Sequence, residues 1–185
     1  MVQAKHALVV GASSGIGRAV AHEVAPLVTK LTLASRPCPP DLISSIKERN
    51  SSIEVTHVKL DVSSLHEVRK FTDNHKDAAF DWIILSPGIL SIKGRTETPE
   101  GLDVKMATHF YGRDLMAQAF SEKASSASFM HAMPGAVATS IANGLPCYLR
   151  IPAKAVTPLV ARPAEQCAKY MVSALTKEEF NPVAT

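Results

Sequence analysis

Cysteine is scarce in this chain of 185 residues: Cys38, Cys147 and Cys167 are an odd number with no C-x-x-C pair. That excludes a disulfide-stapled scaffold and fits a reducing compartment, so a cytoplasmic location is expected. Aromatic residues make up only 5%, which leaves Val, Leu, Ile and Ala to fill the core. No apolar run approaches the roughly 20 residues of a membrane helix, and the run after Lys5 and His6 stops at Gly11, too soon for a signal-peptide core. No membrane association is expected. Neither sign of charge dominates, since twenty Lys+Arg against seventeen Asp+Glu leave +3, too little and too dispersed for a nucleic-acid stripe. The seven histidines form no H-x-x-x-H or similar pair, so no metal is expected. Asn50-Ser51-Ser52 matches a glycosylation sequon, which without secretion is a coincidence.

The composition that remains, 46% hydrophobic and 20% charged, is that of a globular protein and excludes disordered, collagen-like and coiled-coil chains. The length suits one hydrophobic core, hence a single domain over 1–185. Ala7 to Val10 is a continuous apolar run, the mark of a parallel strand covered on both faces. Ile16, Val20, Val24 and Leu27 recur at helical spacing up to Pro26. Further strands are expected at 31–35, 53–58, 81–85 and 126–133. Helices are expected at 41–48 behind an Asp41 cap, at 64–74, and at 164–176. A long helix from Pro99 to Phe120 would bury Leu102, Met106, Phe110 and Ala117. Strands alternating with helices imply right-handed βαβ units and a mostly parallel sheet with helices on both faces.

Gly11-Ala12-Ser13-Ser14-Gly15-Ile16-Gly17 follows the first strand and opens the first helix. Glycines there permit a tight turn and close backbone approach, while free N–H groups and the helix dipole favour a phosphate. A Walker A loop is excluded, because Ile16 and Gly17 stand where its Gly-Lys is required. At the end of the second strand, an acidic residue would select NAD through the ribose 2′-hydroxyl. Ser35-Arg36 stands there instead. A guanidinium pairs with a 2′-phosphate, so NADP(H) is the expected cofactor; the other reading of Arg36 is a solvated loop cation.

With these residues the chain resembles the short-chain dehydrogenase/reductase family, whose cofactor turn T/V-G-x-x-x-G-I-G appears as Val10 to Gly17. Asp61-Val62 resembles the pair flanking the adenine, and Ser86-Pro87-Gly88 occupies the place of the family's Asn-Asn-Ala-Gly turn. Met133-Pro134-Gly135-Ala136-Val137-Ala138-Thr139 is similar to the P-G-x-x-x-T segment against the nicotinamide and its phosphates. His109 takes the place of the family's helix asparagine. The phrasing, notably Glu100 to Asp103 and Phe129 to Thr139, is nearest to fungal members of secondary metabolism. The resemblance implies a Rossmann-type doubly wound sheet, here of about six strands. It also implies cofactor contacts from Gly11, Ser13, Ser14, Gly15, Ile16, Gly17, Arg36, Asp61, Val62, Ser86, Gly88, Pro134, Gly135, Val137 and Thr139.

The family's catalytic Ser and Tyr-x-x-x-Lys belong between the long helix and the next strand, where only the eight residues Ser121 to Ser128 stand. Eight residues connect a helix to a strand but cannot add another of each. The residues four beyond Tyr111, Tyr148 and Tyr170 are Leu115, Pro152 and Ala174, so the pairing that lowers a phenol pKa is missing. No catalytic residue is identified. His109 is a candidate by its titration range, although a structural hydrogen-bond role is the commoner fate of such a residue; Tyr111 should face away from it. His131 reads as a core histidine, and Ser86 as a substrate contact or an ordinary strand-end serine. The 126–133 strand either fills the slot of the missing family strand or leaves apolar edges that favour a homo-oligomer. Three functions follow as expectations. The first is an NADP(H)-dependent oxidoreductase acting on a carbonyl or alcohol of a small metabolite. The second is a redox-inactive NADP(H)-binding protein, whether pseudoenzyme, sensor or truncated product. The third is non-redox chemistry through His109 or His131.

Overall fold

The computed structural model describes residues 6–122, 132 and 134–176. Its centre is β1 (His6–Val10), buried from Ala7 onward and flanked on both sides in a four-stranded parallel sheet. The neighbours are β2 (Lys30–Ser35), β3 (Glu54–Lys59) and β4 (Trp82–Leu85), in the order β3-β2-β1-β4. Each crossover carries a helix, as parallel strands require: α1 (Gly15–Val24), α2 (Leu42–Arg49) and α3 (Leu65–Asn74). Alternation along the strands divides the core. Val9, Leu31 and Leu33 pack with Val20 of α1 and Ile46 of α2, whereas Leu8, Val10 and Ala34 pack with Val68, Phe71 and Met116.

Strand order reverses at β1, so the chain leaves β1 for β2 on one side and returns to β4 on the other. In open α/β sheets a crevice forms at that point, beyond the strands' carboxyl ends. Register fixes what meets there. Val10 pairs with Ala34 on one side and with Leu85 on the other, so Gly11, Ser35-Arg36 and Ser86 emerge along one edge.

Two helix expectations need correction. Asp41 precedes α2 but makes no side-chain cap bond; its carboxylate instead accepts from Arg18 at 2.5 Å, which ties α2 to α1. The long helix does not begin at Pro99. It starts as α4 (Val104–Met106), capped by the Asp103 carboxylate, which accepts from the amides of Lys105 and Met106 at 2.9 and 3.3 Å. A π-helical turn, Ala107–Tyr111, leads into α5 (Gly112–Ser121). Ala107, Thr108, Gly112 and Met116 are buried, while Met106 and Phe110 are 49% and 55% exposed. The cap and the approach at Gly112, where a Cβ would overlap the Val62 carbonyl oxygen, set the phase in place of the sequence stripe.

Beyond α5 the described chain forms β5 (Val137–Ala138), a 3-10 turn (Ser140–Gly144), α6 (Cys147–Val160), β6 (Arg162–Pro163) and α7 (Ala164–Thr176). Among the described residues there are four strands in the main sheet and a separate parallel pair, β5 with β6, in place of about six in one sheet. The strand expected at 126–133 lies outside the described residues except for Ala132, which is not in a strand. α7 packs on α1 and closes that side of the sheet. No helix among the described residues is long and apolar enough to cross a membrane.

Candidate functional site

The turn after β1 takes its shape from three glycines. Gly11 has φ +86° and donates its N–H to the Ala34 carbonyl at 2.8 Å; a Cβ there would stand 2.9 Å from the Pro87 nitrogen. Gly15 has φ +57°, with Thr139 so near that a Cβ would lie 3.2 Å from its side chain. Gly17, in the first turn of α1, sits directly against the Gly11 carbonyl. Positive φ at the first two suits glycine, and the third permits contact that a side chain would block. Ser14, the α1 N-cap, forms no side-chain cap bond, and the first turn holds no acidic residue. First-turn amides lack intrahelical partners and carry the positive end of the helix dipole, so the turn can receive an anion.

The turn borders a cavity of about 380 Å³ at the ends of β1, β2 and β4. Gly11, Ser13, Ser14, Gly15 and Ile16 form one wall, Ser86 and Gly88 another, Arg36, Asp61 and Val62 a third, and Thr139 closes over Gly15. Gly17, Pro134, Gly135 and Val137 lie outside the lining: Gly17 packs beneath the turn, and Val137 of β5 pairs with Arg162 of β6. Asp61 is held by Ser63, whose amide and hydroxyl donate to Oδ1 at 2.9 and 2.7 Å. Arg36 is exposed and has no hydrogen-bond or ion-pair partner among the described residues. The lining's ionisable side chains among those residues are Arg36 and Asp61.

His109 projects from the π-helical turn but does not line this cavity. Its Nε2 stands 2.9 Å from the Ile89 carbonyl oxygen and 3.3 Å from the Ile89 nitrogen, so the ring is committed to the backbone after β4. Gly88 makes room for it, since a Cβ would come within 3.4 Å of Cε1. Arg113, on α5, was not singled out in the sequence. Its Nη2 donates to the Pro87 carbonyl, burial pushes its pKa down, and its Nε is buried with no partner among the described residues. The 86–89 segment is thus held from one side by an imidazole and a guanidinium. His131 lies outside the described residues.

Ser63, Thr108, Ser140, Ile141 and Gly144 also line the cavity, and sequence reasoning missed them. Asn143-Gly144 carried a turn signal. Its use is visible only in three dimensions, where Gly144 lies against the Leu90 carbonyl and brings the 3-10 turn over the cavity mouth.

Fold and site together define an α/β protein with a glycine turn at the reversal point of a parallel sheet. The short chain dehydrogenase family matches residues 5–125, and the chain belongs to that family. A relative from Aspergillus sp., the NmrA-like family domain-containing oxidoreductase notO, is 29% identical over 120 residues, covering 60% of this chain and 36% of that protein. The chain spans about a third of the length of the curated relatives it matches. Among solved structures, a short-chain dehydrogenase from Sphingobium yanoikuyae in complex with NADPH superposes with a TM-score of 0.72 at 15% identity, over 92% of this chain and 84% of that one. One from Burkholderia phymatum in complex with NAD gives 0.68 at 17%, over 97% and 89%. At these identities the structural likeness concerns the fold.

Proposed function

We propose that the chain binds NADP(H) in this cavity, with the diphosphate on the amides of the Ser13–Gly17 turn and the adenosine 2′-phosphate on Arg36. The observation that carries the reading is the guanidinium of Arg36, without a partner among the described residues, in the same cavity as a glycine cradle that added Cβ atoms would fill. Asp61 and Val62 stand at the adenine, Ser86 and Gly88 along the path to the nicotinamide, and Thr139 over the diphosphate. The residues present fit the group: free amides and a dipole for the diphosphate, and a lone cation for the extra phosphate. The two solved structures hold NADPH in one case and NAD in the other; on this reading the guanidinium of Arg36 sets the choice in this chain.

When bound, the reduced cofactor supplies a hydride to a carbonyl carbon. Forming the alcohol also takes a proton, and the chain must deliver it at the nicotinamide end. The ionisable lining side chains among the described residues, Arg36 and Asp61, stand at the adenosine end, and His109 is held on Ile89. Among the described residues no side chain is placed to deliver that proton, which supports a reading in which the cofactor is bound with slow turnover or none. A second reading is a working oxidoreductase that reduces a carbonyl of a small metabolite or oxidises the alcohol. Family membership and the oxidoreductase name of the Aspergillus relative favour it. Titrating the protein with NADPH and NADH, then following the absorbance of bound NADPH with a panel of small ketones and aldehydes, decides between them. Binding without oxidation supports the first reading, oxidation supports the second, and absence of binding removes both.

A further inference from the structure

The strand end that carries Arg36 is braced by side chains that cofactor binding does not itself require. Ser35, the last residue of β2, is buried, and its Oγ lies 2.8 Å from the Pro37 carbonyl oxygen and 2.9 Å from Nε2 of His57. A hydroxyl has one proton, and a carbonyl oxygen only accepts. Ser35 therefore donates to Pro37, and the third member of the set, His57, must donate from Nε2–H. Parallel pairing sets Leu33 opposite His57 and Ser35 opposite Lys59. Leu33 and Ser35 share a sheet face, so the imidazole reaches Ser35 along that face. Burial lowers the pKa of His57, and it is the Ser35 oxygen it faces that calls for the proton on Nε2.

The residues on either side of Arg36 are thereby tied to each other across it and anchored to β3. Arg36 itself has no protein partner among the described residues, so nothing else in its own side chain fixes its direction. His57 does not line the cavity. We infer that His57 is a positioning residue for cofactor choice: through Ser35 it holds the 35–37 turn in the form that presents the Arg36 guanidinium to a 2′-phosphate. The inference rests on the NADP(H) reading and adds to it the element that makes a lone surface cation selective.

The test uses the full chain, with dissociation constants measured for both NADPH and NADH. His57→Leu removes the donor and should reduce the preference for NADPH by about fivefold, the worth of one hydrogen bond, with NADH affinity unchanged. His57→Gln, whose amide nitrogen can donate from a similar place, should restore most of the preference. Should His57→Leu fail to fold, Ser35→Ala removes the same link with a smaller change and should lower the preference likewise. A purely structural role would weaken both cofactors together. Equal loss for both, an unchanged preference in His57→Leu, or no rescue by glutamine overturns the inference. A wild-type protein that does not prefer NADPH overturns the reading beneath it as well, so the two failures are told apart by the wild-type titration.

Discussion

Replacing Gly17 by alanine sets two effects of opposite sign against each other. Gly17 lies in the first turn of α1 and is buried. On propensity alone, alanine should stabilise the helix by about 1 kcal/mol. The added Cβ, however, would overlap the Gly11 carbonyl oxygen and stand 2.8 Å from its carbon. Those atoms are backbone and cannot rotate aside, so the overlap falls in the upper part of the roughly 1–3 kcal/mol range for overpacking. The net expectation is a loss of about 1–2 kcal/mol, which for a chain of this size lowers Tm by about 2–8 °C. Because the turn must shift to admit the methyl group, NADPH affinity falls too. Gly94→Ala is the control: a Cβ there meets nothing within 4 Å, and stability should stay within about 0.5 kcal/mol of wild type. Thermal unfolding by circular dichroism with a parallel NADPH titration reads both. A Gly17→Ala protein as stable as wild type, with its affinity intact, would refute the close packing of turn on helix.

Other perturbations follow from the same contacts. Arg36→Ala should weaken NADPH by at least about tenfold in equilibrium titrations, the value of one charge-assisted contact near the low end of its range, and leave NADH within twofold or so. Met116→Ala removes a fully buried side chain from the core under α5 and should cost about 2–5 kcal/mol in urea unfolding. Ser64→Ala deletes the cap whose Oγ accepts from the Glu67 amide at 3.3 Å, for a loss of about 1 kcal/mol. Glu100 sits below the usual carboxylate range, chiefly because the His66 amide donates to it at 3.1 Å. Its contribution is complete above an unfolded pKa of about 4.3 and is lost as pH falls through the lower folded value. Glu100→Gln should therefore flatten the acid side of the stability curve and leave its neutral side parallel to wild type.

The sheet strands and the glycine turn could be read from the chain because each rests on local chemistry. The Ala7–Val10 run belongs to a strand covered on both faces, and Gly11, Gly15 and Gly17 stand where backbone must bend or touch backbone. The middle of the chain was harder. The stripe Leu102, Met106, Phe110 and Ala117 has good helical spacing, yet the buried face is Ala107, Thr108, Gly112 and Met116. Small residues decide that face, because Gly112 lets α5 close on Val62, and a missing side chain carries no hydrophobic signal. Arg113 was overlooked for a related reason: a charged residue on an amphipathic helix reads as solvated, and only the fold shows its guanidinium turned in to the Pro87 carbonyl. His109 lies with its Nε2 2.9 Å from the Ile89 carbonyl oxygen, a contact that its place in the sequence does not show. The bracing of Arg36 by Ser35 and His57 depends on strand register, which a sequence shows only once the pairing is known.

Bare amides and the Arg36 guanidinium are proposed to receive a phosphorylated dinucleotide at the reversal point of the sheet. A crystal structure of the full chain grown with NADPH tests it directly. Diphosphate density is expected on the amides of Ser13 to Gly17, with the 2′-phosphate within hydrogen-bond distance of the Arg36 guanidinium. An empty cavity at saturating NADPH, or a cofactor bound with Arg36 turned away to solvent, would contradict it.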